Sequence, residues 1–162
     1  MLPRGRATQL ASEAVKQLRW ISRRVPPNVH NANIRFHLNG FHTARRYQQS
    51  KPCIFCKSAD SEDSIEHIIV CPRVSTCINV DWKPYGHAVP PPYWYLLEGD
   101  GKTRLSMACF VFAVYTVHNN IRHSGDTHDL HKQIYMALNL PSLAKPLRKA
   151  WEDMFHFRQS RF

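Results

Sequence analysis

The chain of 162 residues has no apolar run of about 18 residues or more, so it predicts neither a transmembrane helix nor a membrane partner. It also lacks a glycine-rich phosphate loop, a nucleophile elbow and the paired histidines of zinc proteases. No pair of aspartates lies between strand-like runs, which a polymerase metal site would need. These absences predict a protein that is not an enzyme.

Acidic residues are scarce, and they are unevenly distributed. The chain has 22 Lys and Arg against 12 Asp and Glu, a net charge of +10. Residues 1–57 contain eleven of the basic residues and one acid, Glu13, whereas the other 105 residues contain eleven of each sign. Such asymmetry predicts a polyanionic partner, most simply nucleic acid. The alternative is a solvated basic face without a partner.

Cysteine is also sparse, at five residues, and an odd number does not suit a disulfide framework. The basic N-terminus leads into an amphipathic segment instead of an apolar signal core. We therefore expect an intracellular protein, with the nucleus favoured over the cytoplasm. A mitochondrial presequence is an alternative, because Arg and Ser are present near the N-terminus and acid is rare there.

Four ligand-type side chains nevertheless follow one another closely, in the pattern Cys53-x2-Cys56-x10-His67-x3-Cys71. Three thiolates and one imidazole fill the tetrahedral shell of a structural Zn²⁺ and leave no position open for a substrate. The pattern therefore predicts one structural zinc ion. The alternative is a set of buried cysteines that happen to lie near a histidine. The next cysteine along the chain, Cys77, is predicted to be a core residue.

The zinc stretch also predicts its own local structure. Asp63 or Ser64 can cap a helix on which His67 and Cys71, four residues apart, share one face. Cys53 and Cys56 would close the site from a preceding turn.

Apolar periodicity predicts a mostly α fold: a small zinc-stapled module, made of a Cys-x2-Cys turn and a His/Cys helix, flanked by helices and followed by a C-terminal helical bundle. Ile34, Leu38 and Phe41 form an apolar stripe within residues 31–48, and Gly40 predicts a kink or a division into two short helices there.

The predicted helices cover residues 7–24, 31–48, 73–82, 103–122, 127–138 and 143–157. The predicted parts of the chain are a basic helix with a proline joint (1–30), a basic helix with the zinc module (31–83), a proline- and aromatic-rich connector (84–102) and a helical body (103–162).

Cationic, amide and aromatic side chains lie off that stripe and lead directly into the zinc stretch. Arg45-Arg46-Tyr47 combines two guanidinium groups with an aromatic ring, which suits phosphate binding and base stacking. The predicted nucleic-acid contacts are Arg35, His42, Arg45, Arg46, Tyr47, Lys51 and Lys57.

A second group of histidines surrounds the turn at Gly125. It consists of His118, His123, His128 and His131. This group could form a second metal site or the centre of a small metal-dependent nuclease. Its spacing matches no known ligand pattern, so we favour histidines at helix ends that face water.

The zinc stretch resembles a known family. Cys53-x2-Cys56, an acidic-polar linker, Asp63-Ser64-Ile65-Glu66-His67 and Cys71-Pro72, with Trp82 further on, resemble the C-terminal zinc-binding region of non-LTR retrotransposon reverse transcriptases. The resemblance covers about residues 34–85. It implies that Cys53, Cys56, His67 and Cys71 bind zinc and that Arg35, Arg45 and Arg46 contact the nucleic-acid backbone.

The chain departs from that family in two respects. The family often places four residues between the histidine and the last cysteine, and here there are three, which suits one helix face. The chain also lacks the polymerase palm and the endonuclease, so the resemblance implies an RNA- or DNA-binding tail without polymerase activity. The alternative functions are a structural or protein-interaction subunit, such as a partner of a ribonucleoprotein, and the small nuclease.

Overall fold

The computed structural model describes residues 4–77, 94–97, 99–141 and 143, and this part of the chain is mostly helical and contains no strand. The prediction of a mostly α fold is confirmed. The helices are α1 (Arg4–Ser22), α2 (Pro27–His37), a 3₁₀ turn (Arg45–Tyr47), α3 (Ile65–Val70), α4 (Pro72–Ser75), α5 (Trp94–Leu97), α6 (Gly101–Ser124) and α7 (Leu130–Leu138). The predicted helix over 143–157, most of the connector and the end of the helix predicted over 73–82 lie outside the described residues.

Helix α6 is the centre of the fold. Its sequence is almost continuously apolar, and the helix is buried on several sides. Helices α2, α5 and α7 pack against it. Asp100 caps its N-terminus by accepting a hydrogen bond from the Thr103 amide at 2.7 Å. Gly125 ends it in the left-handed region, with φ of 73°, where glycine carries no steric penalty.

The helix predicted over residues 31–48 is considerably shorter than expected. Helix α2 ends at His37, because Asn39 takes a left-handed conformation with φ of 52° and the Gly40 amide turns back to the carbonyl of Arg35. The predicted apolar stripe is consequently wrong in part. Phe41 is fully buried, but Leu38 lies at the helix end with 74 % of its surface exposed.

Asn33 connects α2 to the central helix. Its side-chain amide donates to the carbonyl of Val29 on α2 at 2.8 Å and to the carbonyl of Ala108 on α6 at 2.9 Å. These bonds satisfy a polar group that is completely buried, and so fix the position of α2 on α6. The end of α2 and the loop after it are therefore anchored to the core.

The prediction of a first helix is confirmed, with α1 covering most of residues 7–24. Ala14 and Ile21 are buried on its inner face, whereas Val15 is exposed. Among the described residues, no helix is both long and apolar enough to cross a membrane.

Candidate metal centre

The first pair of cysteines lies on a tight turn. The Lys57 amide donates to the carbonyl of Cys53 at 2.8 Å, and Lys57 itself has a φ of 54°, so the chain reverses between the two thiols. The hydroxyl of Ser61 stabilises this turn, because it accepts from the Cys53 amide at 3.2 Å and lies 3.3 Å from Sγ of Cys56. Phe55, inside the turn, is buried.

The second pair of ligands comes from α3 and its end. Ser64 is the N-cap, and its hydroxyl accepts from the His67 amide at 3.2 Å. His67 lies in the helix, whereas Cys71 has already left it, with ψ of 123°, and precedes α4. The capped helix is as predicted, but the two ligands meet across its C-terminal end and do not share one helical face.

The four ligand atoms come together at distances that suit one ion. They lie within 4.8 Å of one another, with Sγ of Cys53 3.9 Å from Sγ of Cys71 and Sγ of Cys56 3.4 Å from Nε2 of His67. Tetrahedral zinc at its usual bond lengths gives sulfur–sulfur edges of about 3.8 Å and sulfur–nitrogen edges of about 3.6 Å. The donor set and its dimensions therefore fit a closed tetrahedral site.

The electrostatics of the site favour a thiolate at Cys71. A hydrogen bond from Cys53 lowers the pKa of Cys71 to about 5, and the same proton, shared between the two sulfurs, raises the pKa of Cys53. Backbone amides also point at both sulfurs and favour their charged forms; these are the amides of Cys56 and Phe55 at Cys53, and of Val74 and Arg73 at Cys71. Hydrogen-bond donors directed at the ligand atoms are typical of metal sites, and the spacing of the cysteines does not reveal these amides.

Cys77, the nearest other thiol, is a core residue as predicted. It is buried, its Sγ contacts the carbonyl of Arg73 at 3.4 Å, and burial raises its pKa to about 12. It is not a member of the ligand group. Cys77 therefore does not compete for the ion.

Asp63 joins the metal centre to the rest of the protein. Its carboxylate accepts from the Ala44 amide at 2.7 Å, and its carbonyl accepts from the Arg45 amide at 3.1 Å. Its own amide donates to the carbonyl of Lys51 at 3.0 Å. Residues 42–51, which we call the basic loop, are thus held by the residue that precedes the N-cap of α3.

The same carboxylate faces α6. Nε2 of His118, which is completely buried, lies 3.6 Å from Oδ1 of Asp63. Burial tends to raise the pKa of Asp63, but the imidazole of His118 and the Ala44 amide outweigh that effect and lower it. The ring of His118 also contacts Phe55 and Phe41, with centroids 5.8 and 6.0 Å away.

The predicted nucleic-acid contacts lie at the surface. Arg35, Arg45, Arg46, Tyr47, Lys51 and Lys57 are exposed, and His42 is partly exposed. Arg45 and Arg46, which are adjacent in the chain, differ in their acidic partners. Nη1 of Arg45 is 3.3 Å from a carboxylate oxygen of Glu62 and 3.7 Å from one of Glu66, whereas no acidic side chain of the described residues pairs with Arg46.

Arg122 is a further cation near this surface, and it was not among the residues predicted to contact nucleic acid. The positive charges of Arg122, Arg46 and Arg35 act on His42 and, after burial, are the main causes of its lowered pKa. Arg122 belongs to the last turn of α6, far along the chain from His42. The sequence shows that the end of α6 is cationic, but it does not show that Arg122 lies near His42.

The second histidine group does not assemble into a site. His118 is buried against Asp63, while His123, His128 and His131 are exposed. Across the described parts of the chain, the cysteine–histidine group at Cys53 is the only set of three or more potential ligands that converges on one point. The interpretation as water-facing histidines therefore applies to three of the four residues.

No protein-family model, no curated protein and no solved structure matches the chain.

Proposed function

We propose that the protein is a zinc-stabilised nucleic-acid-binding module, akin to the tail of a non-LTR retrotransposon reverse transcriptase and without polymerase activity. The observation that carries this proposal is the convergence of Cys53, Cys56, His67 and Cys71 beside the basic loop. Zinc fits this donor set best, because thiolates and imidazole are its preferred ligands. When bound, it cross-links the cysteine turn to α3.

The role of the metal in this proposal is architectural. Four protein ligands leave no open position for a substrate. The ion fixes α3, and the hydrogen bonds of Asp63 connect α3 to the backbone of the basic loop. Exposed cations on that loop and on the ends of α2 and α6 then face a polyanion, and the confinement of excess charge to residues 1–57 supports this.

The arginines of the basic loop are expected to contribute unequally. Arg46 has no acidic partner among the described residues, whereas Arg45 would have to leave Glu62 and Glu66 to contact phosphate. We expect Arg46→Ala to reduce the salt slope of oligonucleotide binding by about 0.7 to 0.9, the value for one phosphate contact. Arg45→Ala should reduce it less.

The experiment joins metal analysis to binding on one sample. Zinc content is measured in the purified protein, and affinity for labelled single-stranded and duplex oligonucleotides is measured at several salt concentrations. Lys132→Ala, an exposed change on α7, is the matched control and should leave the slope unchanged. A preparation without stoichiometric metal, or one that binds no oligonucleotide at moderate salt, contradicts the proposal.

A further inference from the structure

The basic residues around His42 come from three separate parts of the fold. Arg35 lies in the last turn of α2, Arg46 in the 3₁₀ turn and Arg122 in the last turn of α6. All three arginines are exposed, and none has an acidic partner among the described residues. The guanidinium of Arg35 lies 6.0 Å from the Tyr115 ring of α6, and the ring of Phe41, next to His42, lies 4.8 Å from Tyr115 and 6.0 Å from His118. The end of α2 and the second half of α6 therefore meet beside His42, and the described residues supply no carboxylate partner to the three arginines.

The imidazole of His42 faces an aromatic ring of the same loop. The ring of His42 lies nearly parallel to that of Tyr47, with 15° between the planes and 6.2 Å between the centroids. Helices α2 and α6, which carry two of the arginines, pack directly against each other, and Asn33 bonds across their contact. The site is therefore built on fixed elements, although the basic loop contributes two of its members.

We propose that Arg35, His42, Arg46 and Arg122 form one phosphate-binding site, in which His42 takes up a proton as the phosphate binds. This inference rests on the proposed nucleic-acid function and specifies how one backbone phosphate is held. Guanidinium groups match phosphate in geometry and charge, and they are its commonest partners in nucleic-acid complexes. The site contains a cation from α6, outside the part of the chain that carries the excess charge.

The proton uptake follows from the charges that face His42. Burial and the three arginines disfavour the imidazolium form in the free protein, as does His118 from the core side. A bound phosphate neutralises the arginines and adds negative charge, so it favours the imidazolium form. The bound state therefore holds more protons than the free state, and affinity must rise as pH falls.

The test measures affinity for labelled oligothymidylate, whose bases do not titrate in the relevant range, between about pH 8 and about pH 5.5. For the wild-type protein we expect affinity to rise towards acid, by no more than about tenfold per pH unit, the limit for one proton. His42→Gln should abolish this rise, because the variant has no imidazole to take up the proton. His131→Gln, an exposed histidine change on α7, should behave as wild type.

Arg122→Ala tests the contribution of α6. We expect about tenfold weaker binding across the range, the loss of one charge-assisted contact. NMR titration of His42 with and without the oligonucleotide measures the pKa change directly, and its pKa should be higher in the complex.

Several outcomes separate this inference from the function on which it rests. An unchanged pH response in His42→Gln, or wild-type affinity in Arg122→Ala, overturns the phosphate site while oligonucleotide binding stands. Equal affinity for polyglutamate overturns the assignment to phosphate and favours an acidic protein partner. No binding of oligothymidylate by the wild-type protein overturns both.

Discussion

Cys71 and Cys77 are two buried thiols six residues apart with different roles. Sγ of Cys71 lies 3.9 Å from that of Cys53, and backbone amides and the His67 ring favour its thiolate. Cys77 is surrounded by the core, and burial raises its pKa to about 12. The difference comes from what surrounds each sulfur, because the two side chains are chemically identical.

This contrast gives a matched pair of substitutions. Cys71→Ser removes one of four ligands and should weaken zinc binding by at least about 100-fold, since even outer partners of a metal are worth 10 to 100-fold. Cys77→Ser should retain zinc at full stoichiometry. Competition with a chromophoric chelator measures both. Equal metal affinity in the two variants would remove Cys71 from the ligand set.

At the scale of elements, the end of α2 determines where the basic loop begins. A Cβ atom added at Gly40 would lie 2.9 Å from Cα of Arg35 and 3.0 Å from its carbonyl oxygen. Both are backbone atoms, so the turn could accommodate the extra carbon only by moving. Glycine is therefore required here by a close backbone approach.

Gly40→Ala should destabilise the protein by about 2 kcal/mol, the usual cost of an overpacked site. Gly125→Ala is the comparison, because that glycine has a positive φ but nothing near its missing Cβ. It should cost only about 1 kcal/mol, the left-handed penalty for one residue. Chemical denaturation ranks the two variants. The reverse order would show that the steric contact at Gly40 relaxes easily.

Some features of these elements can be predicted from the local sequence, and others cannot. The metal-ligand group, a helix cap at Asp63 or Ser64 and a helix over residues 103–122 follow from local patterns, and the sequence predicts each of them. The early end of α2 depends on a left-handed Asn39 that periodicity does not register. The positions of Arg122 beside His42 and of Asp63 beside His118 depend on tertiary packing, so no local pattern could supply them.

At the scale of the whole molecule, Asp63 connects three parts: the metal centre, the basic loop and the central helix. Asp63→Ala would leave the Ala44 amide and the buried His118 without their partner. We expect a loss of about 2 kcal/mol in the free energy of unfolding, the cost of leaving a buried donor without its acceptor. Asp126→Ala, which changes an exposed carboxylate that accepts from the His128 amide, should cost less than about 1 kcal/mol. A similar loss in both variants contradicts the role given to Asp63.

The same residue predicts a pH dependence of stability. Its pKa in the folded protein lies below its ordinary value of 3.8, because His118 and the Ala44 amide outweigh the opposing effect of burial. The unfolded chain therefore takes up this proton first as pH falls. Asp63 contributes fully to the free energy of unfolding above pH 3.8. This contribution is lost as the pH falls through the pKa of Asp63 in the folded protein. Denaturation across acidic pH should show a smaller decline in Asp63→Asn than in the wild type.

The buried ring of Phe55 has a consequence for the order in which the protein assembles. Cys53 and Cys71, which close the metal site, are 18 positions apart in the chain. Phe55, in contrast, can contact His118 only after α6 has been synthesised. The shorter loop has the smaller closure entropy, and synthesis from the N-terminus completes it first. A nascent chain could therefore capture its ion while Phe55 remains exposed, and α6 would then cover that ring. A peptide limited to residues 53–71 should bind metal but present Phe55 to solvent.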